Sequence, residues 1–411
     1  MKKKKYIILS LSIYGINGAV QYLYNKITAL RTLGYTVILF TGNNGRIIDS
    51  LSHIYIPELE EYSHYIISEL QYPPVLFGEK KRKVIIDSIL RSVCDSESGY
   101  LIEANSIATA EWGELLSKEL RTPCFWFDLQ EKYSFNESEI KFVKKKIKDS
   151  AIAGISPESF PLMTKGSVSK GVFFKAYCSN TIQDVPFNIP NDVLLSDYRI
   201  GIIGRLNKPF VYPTLVTIRN YMTHHSESRF SLVLIGGAPQ KDLERIRSQF
   251  SGLKNISLFI TDYIYPVPQK LVKCVDVFVS SSGSAVATMR EGVPTIVIDA
   301  DSNKPIGILD YTINSDTYGE ETYNLEDLLD DILYKKSLKE CEKKGMEEDY
   351  KAFDYVQEVW LQIEYVMKAK YSPYNINEIR PNNKYYRLLQ IIARVFGSRC
   401  LDRVRRFVHW K

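Results

Sequence analysis

Three turns carry most of the chemistry available to this sequence. Gly204-Arg205-Leu206-Asn207-Lys208 follows an apolar run and places a guanidinium and an ammonium where a strand gives way to a helix. Those groups can neutralise a diphosphate, or they can stand as a solvated cationic loop. Ser280-Ser281-Ser282-Gly283-Ser284-Ala285 precedes a short helical pattern. Free N–H groups and hydroxyls at such a helix start form an anion site, although Ser284 can equally be an ordinary cap. Tyr14-Gly15-Ile16-Asn17-Gly18-Ala19 allows close approach of a ligand to the backbone but lacks the G-x-G-x-x-G spacing, which argues against NAD or FAD.

The elements that must position these turns alternate between β-rich apolar runs and helical patterns, as parallel sheets with crossover helices do. In the first half the pattern predicts strands at Tyr6–Ile13, Thr36–Thr41, Ile54–Ile56, Tyr100–Glu103, Cys124–Phe127 and Ala151–Ile155, with helices at Gln21–Leu33 and Glu137–Asp149. A second series predicts strands at Arg199–Gly204, Ser231–Gly237 (ending in Gly236-Gly237), Ile256–Thr261, Val275–Ser280 and Thr295–Asp299, with helices at Thr214–Thr223 and Lys241–Phe250. The two series meet near Ile189–Ser196, where Pro190, Asn191 and Asp192 mark a linker. The expected organisation is a first α/β domain over 1–192, a second over 193–340, a helical return segment over 341–383 and a basic amphipathic tail over 384–411.

The chain has 411 residues, too many for one core, and its 45% hydrophobic and 25% charged composition is that of a folded globular protein. Net charge is +5, but residues 370–411 hold ten basic side chains against Glu378 and Asp402, so the body is slightly acidic and no nucleic-acid partner is expected. Six scattered cysteines without a C-x-x-C pair or a metal-spaced His cluster predict reduced, mostly buried thiols of a cytosolic protein and no metal site. The Lys2–Lys5 run before Tyr6–Ile13 imitates a signal peptide, yet it lacks a small-residue cleavage site and leads into a turn and helix, so a buried first strand is expected. No stretch approaches the length needed to span a bilayer.

The tail interleaves basic and apolar residues. At 100° per residue, Leu388, Ile392, Val395 and Phe396 share a face, Gly397 breaks the helix, and Val404, Phe407 and Val408 resume the pattern. Such a segment can lie on an anionic bilayer or pack as a C-terminal helix on the first domain.

The order of these features resembles a GT-B glycosyltransferase, closest to the retaining glycosyltransferase 4-like group. The residues that carry the resemblance are Gly15 and Gly18 before the first helix, Gly34-Tyr35-Thr36-Val37, and Ile155-Ser156-Pro157-Glu158. They continue with Gly204, Arg205, Leu206 and Lys208, the run Val233–Pro239 through Gly236, Val275–Ser282, and Gly292-Val293-Pro294. The resemblance implies two Rossmann-like domains whose parallel sheets face an interdomain cleft, with a metal-independent transfer from a nucleotide-sugar, UDP-linked in most of the family. The sugar nucleotide is then a substrate and no cofactor is required. Gly15, Gly18, Gly204, Arg205, Lys208, Gly236, Ser282, Gly283, Ser284 and Ala285 would contact the donor. Arg205 and Lys208 would stabilise the leaving diphosphate. An inverting transfer would also need a base, with Asp128 first and Glu103 second, although either can be an ordinary strand-end carboxylate. The family's usual pair of Glu residues is absent, with Ala287 at the position of the second. A basic tail on the inner face of the plasma membrane suits a glycan or lipid-linked acceptor of bacterial surface-polysaccharide assembly. A nucleotide-sugar epimerase and a catalytically silent GT-B binding protein are the alternatives.

Overall fold

The computed structural model describes residues 4–13, 18–42, 63–93, 99–130, 133–176, 182–264, 266–299, 302–315, 319, 321–346, 349, 354–381 and 384–407. The chain divides into two compact units. Unit 1 comprises Met1–Ala176 and Asp354–Lys411, and unit 2 comprises Tyr177–Phe353.

The first stretch of unit 1 runs β1 (Lys5–Ser10), α1 (Gly18–Thr32), β2 (Thr36–Thr41), β3 (Ser63–Ile66), α2 (Glu79–Val93), β4 (Tyr100–Ala104), α3 (Ile107–Leu120), β5 (Cys124–Phe127), α4 (Glu137–Lys148), β6 (Ile152–Ala153) and α5 (Ser159–Met163). Its strands form an all-parallel sheet in the order β3-β2-β1-β4-β5-β6. Tyr6, Ile7, Ile8 and Leu9 of β1 are fully buried, which is why the strand reads as a continuous apolar run rather than an alternating one. Helix α1 stops where Gly34, at φ +84°, turns the chain and Tyr35 N donates to Leu30 O at 3.0 Å. Caps on Ser106 and Asn136 start α3 and α4.

Unit 2 contains β7 (Ile182–Gln183), α6 (Asn191–Leu194), β8 (Tyr198–Ile203), α7 (Val211–His224), β9 (Phe230–Ile235), α8 (Gln240–Phe250), β10 (Ile256–Ile260), β11 (Val267–Pro268), α9 (Gln269–Lys273), β12 (Val277–Ser280), α10 (Gly283–Arg290), β13 (Thr295–Ile298), β14 (Pro305–Ile308) and α11 (Leu325–Leu333). Its large sheet has the order β10-β9-β8-β12-β13-β14, parallel except for β14, which pairs antiparallel with β13. The chain then returns to unit 1 through α12 (Tyr355–Val366), α13 (Tyr386–Phe396) and α14 (Ser398–Phe407). Ile379, Leu389, Ala393 and Leu401 from this return complete the core of unit 1.

The division between units falls elsewhere than at 192/193. Ile189 and Val193 pack into the unit 2 core with Leu271, and the Pro190–Asp192 segment opens α6 instead of linking two domains. Residues 341–346 also remain with unit 2, where Lys344 N donates to Asp310 O at 2.7 Å. The expected strand at 54–56 lies outside the described residues; the outer neighbour of β2 is β3. Of the four cysteines described, all unbridged, Cys124 is buried, Cys274 and Cys400 half-buried and Cys341 exposed, so the thiols are less sheltered than expected. Among the described residues no His, Cys, Asp or Glu cluster could hold a metal ion.

Candidate functional site

Both large sheets reverse winding direction at one place, between β1 and β4 in unit 1 and between β8 and β12 in unit 2. Doubly wound sheets bind ligands outside the carboxyl ends of the strands that flank this reversal. In unit 2 those ends are Gly204-Arg205 after β8 and Ser281–Ser284 after β12. Ser280 Oγ donates to Ile203 O at 3.1 Å and fixes one end to the other. A Cβ on Gly204, at φ +123°, would stand 3.1 Å from Ser284 Oγ, so the two turns touch. Gly236, at φ +141°, comes so close to the Gly204 carbonyl that a Cβ would lie 2.0 Å from its oxygen. Only glycine fits there.

Helix α10 begins in an unusual way. Its N-cap is Ser282, held at φ 55° and ψ −147°, and its hydroxyl does not cap the helix. Such a backbone conformation is costly for a non-glycine residue and concentrates at functional sites. The first N–H groups of α10, on Gly283 and Ser284, therefore lack a capping side chain beside a cationic turn. Ser284 is not the cap, which removes the ordinary explanation for it. Ala285 is fully buried beneath that turn. Arg205 is exposed, and Lys208 follows, its N donating to Arg205 O at 3.3 Å and its Nζ lying 5.9 Å from the Phe210 ring centroid.

The same cluster contains two residues that the sequence reading does not single out. Asp262, at φ 60°, bridges to Gly236 and accepts from Tyr263 N at 2.8 Å. The Tyr263 ring comes within 2.5 Å of where a Cβ on Gly237 would stand. Burial raises the Tyr263 phenol, and the positive charge of Arg205, acting against it, reaches that ring. The legible signal was the polar Thr261-Asp262-Tyr263 triplet closing an apolar strand. Ala287 lies half-buried on α10, and Glu291 is occupied by Gln269 Nε2 at 2.7 Å.

In unit 1, Gly18 opens α1, while Gly15 lies outside the described residues. Glu103, on β4, is fully buried and ion-paired to Lys26 of α1. Its Oε2 also accepts from Tyr6 OH at 2.6 Å and its Oε1 from Asn105 Nδ2 at 3.0 Å. Lys26 Nζ and Tyr22 OH both reach Gln362 Oε1 of α12, at 2.7 and 3.0 Å. Burial draws the Lys26 ammonium below its ordinary pKa, against the pull of Glu103. Both oxygens of Glu103 are taken by the chain's own donors, and its ion pair with Lys26 ties α1 to the sheet.

Asp128, just beyond β5, is also fully buried. It accepts from Trp126 Nε1 at 3.0 Å, Gln130 N at 3.0 Å and Tyr133 OH at 2.7 Å. Burial pushes its carboxyl up to about 7, with the three donors opposing the shift. That value suits a group that exchanges a proton near neutrality.

In the tail, Leu389 and Ala393 are buried and Ile392 is partly covered by the unit 1 core. Leu388, Ile391, Val395 and Phe396 are the exposed apolar residues of α13, each more than half accessible. The exposed face is thus centred on Ile391 rather than Ile392. Ser398 Oγ donates to Glu69 Oε1 at 3.1 Å and Gln390 Nε2 to Val75 O at 3.0 Å, fastening both tail helices to unit 1. No helix among the described residues is long and apolar enough to cross a membrane.

No protein-family model matches the chain. No curated protein matches it either. Solved structures do. A glycosyltransferase from Rickettsia africae is similar over 98% of this chain and 99% of its own, with 14% identity and a TM-score of 0.57. An E. coli structure described as trehalose-6-phosphate bound with UDP-2-fluoro glucose matches 88% of this chain and 99% of its own, at 10% identity and a TM-score of 0.55. S. aureus TarM, in complex with fondaparinux, alpha-GlcNAc-glycerol and UDP, matches 88% of this chain and 99% of its own, at 10% identity and a TM-score of 0.54. At these identities the likeness establishes the fold: the chain has the two Rossmann-like domains of GT-B glycosyltransferases.

Proposed function

We propose that the protein is a glycosyltransferase that takes a sugar from a UDP-linked donor held by unit 2. The observation that carries this reading is the reversal point of the unit 2 sheet, where Gly204, Gly236, Arg205 and the uncapped start of α10 converge. The converging N–H groups and cations suit a diphosphate. UDP is chosen because two of the solved structures of the same fold are described with UDP or a UDP-sugar.

In this reading the bond between the anomeric carbon and the β-phosphate oxygen breaks, and the electron pair leaves with the diphosphate. Arg205, Lys208 and the N–H groups of Gly283 and Ser284 stabilise that charge; one such contact is worth about 10²–10³ in rate. Asp262, the carboxylate of the cluster, takes a donor hydroxyl in place of the family's missing Glu. An acceptor hydroxyl forms the new bond, and Asp128 is the unit 1 carboxyl that receives its proton if the transfer inverts. If the transfer retains configuration, the departing phosphate oxygen takes the proton. The acceptor is a glycan or a lipid-linked glycan at an anionic membrane surface, with the outward face of α13 and the neighbouring basic residues Lys384, Arg387 and Arg403 lying on the bilayer. In this reading the protein serves bacterial surface-polysaccharide synthesis and belongs to the glycosyltransferase 4-like group.

The deciding experiment is a thermal-shift panel of UDP, GDP, ADP and CMP. Nucleotide at 100 times its dissociation constant adds about 2.7 kcal/mol to stability, so UDP should raise the melting temperature by several degrees. Ser284→Asp, which introduces an anion at the helix start, should erase the shift while leaving the unliganded melting temperature near that of the wild type. A panel with no shift, or a shift that survives Ser284→Asp and Arg205→Ala together, would remove the basis for the assignment. Turnover of UDP-sugar without an acceptor would replace transfer by donor isomerisation or hydrolysis.

A further inference from the structure

Away from the reversal points, unit 1 contains a half-open cleft of about 450 Å³ between the start of α2 and one side of α13. Its polar lining includes Arg82, Arg394, Tyr386, Gln390, Asn377 and Glu79. These side chains come from three separate stretches of the chain, and hydrogen bonds tie Arg82 to Asn377 and Gln390 to Tyr386. Arg82 Nη1 donates to Asn377 Oδ1 at 2.8 Å, and Gln390 Nε2 contacts Val75 O at 3.0 Å and Tyr386 OH at 3.3 Å.

The charge in this cleft is unbalanced. Burial disfavours the charge on Arg82, Glu79 favours it and Arg394 disfavours it, so two guanidiniums face Glu79, the carboxylate lining the cleft. Arg380 also acts on Tyr386 from nearby. The other acid near Tyr386 is Glu111, whose carboxyl burial holds well above the carboxylate range, so it offers the arginines little negative charge. A fold that holds like charges around an open cavity gains when an anion enters. Planar guanidiniums with hydroxyl and amide donors beside them match the oxygens of a phosphate.

Position narrows the source. On α13, Tyr386, Gln390 and Arg394 recur every fourth residue and form the stripe that lines the cleft. Leu388, Ile391 and Val395 form the exposed apolar stripe, about 140° further round at 100° per residue. When the apolar side of an interfacial helix meets lipid, its far, cationic side lies at the headgroup–water boundary, where this cleft opens.

We propose that the cleft is a phosphate-ester site that binds the headgroup of an anionic lipid. Recognition of the phosphate rests on the cleft residues alone; only the choice of a lipid source rests on the membrane reading given above.

The test uses the full chain with two probes, glycerol 3-phosphate by calorimetry and vesicles of phosphatidylcholine with 20% phosphatidic acid by flotation. Arg82→Gln with Arg394→Gln should weaken vesicle binding at least tenfold, as expected when two charge-assisted contacts are removed. Lys384→Gln with Arg387→Gln removes equal charge from the bilayer-facing side and should weaken vesicle binding while leaving glycerol 3-phosphate binding intact. Glycerol 3-phosphate binding that is lost in the cleft variant, with vesicle binding unaffected by it, would keep the phosphate site and overturn the lipid source. Leu388→Ser with Ile391→Ser and Val395→Ser should abolish flotation yet leave any glycerol 3-phosphate binding intact, which separates failure of the membrane reading from failure of the cleft. If the cleft variant matches the wild type with both probes, or differs in glycerol 3-phosphate binding no more than the Lys384/Arg387 variant, the site does not exist.

Discussion

Glu103 and Asp128 look alike in the sequence, each a carboxylate at the end of an apolar strand, but their surroundings divide them. Glu103 has a buried cationic partner and tethers α1 to the sheet. Glu103→Ala should therefore cost about 3–5 kcal/mol, because it strands Lys26 without a counter-charge, while Lys26→Met with Glu103→Leu should recover most of that loss; urea unfolding measures both. Asp128 has neutral donors and a carboxyl near 7, above its unfolded value of 3.8. The native state thus holds a proton that the unfolded chain has released, so this residue's contribution is greatest below about pH 4 and is lost as pH rises towards 7. Relative to Asp128→Asn, the wild type should lose stability by on the order of 1 kcal/mol per pH unit across that window. Denaturant midpoints that keep a constant difference between the two proteins from pH 4 to 8 would refute the raised value. The Glu103 network was not visible in one dimension, since Lys26 sits within an apolar helical repeat and Gln362 is hundreds of residues away, whereas the donors to Asp128 are its close neighbours in sequence.

Elements were legible where burial writes itself into composition. β1, β5, β8, β9 and β12 are covered on both faces, so each appears as a short apolar run, and the turns after them were found with them. β3 is a polar edge strand of sequence SHYI that carries no such mark, and β14 joins its sheet antiparallel as a late addition. The periodicity of α13 was plain, but which arc faced inward depended on the Val75 and Glu69 contacts of the tail, which no periodicity contains. The close approach at Gly236 lends itself to a comparison. Gly236→Ala must push its methyl into the Gly204 carbonyl, whereas Gly292→Ala, at φ +77° with open space around it, meets only backbone strain of about 1–2 kcal/mol. We expect Gly236→Ala to abolish the UDP-induced thermal shift and Gly292→Ala to preserve it. Equal nucleotide response in both variants would show that the β8–β9 contact does not shape the site.

At the scale of the whole molecule, two α/β series were readable from their alternation, but the passage between them was not. The chain leaves unit 1 at Ala176, well before the Pro190 turn that resembles a linker, because α6 uses that proline to begin a helix packed on unit 2. In sequence the return resembles an appended helical segment, yet α12 supplies Gln362 to the Lys26 network, and Ile379, Leu389 and Leu401 close the first core. Unit 2 is therefore an uninterrupted stretch set inside a discontinuous one. On the ribosome this reverses the order in which the halves can mature. When synthesis reaches Phe353, every residue of the later-starting half has been made, while the half that began first still lacks the amide that steadies its interior lysine and the side chains that seal its apolar centre.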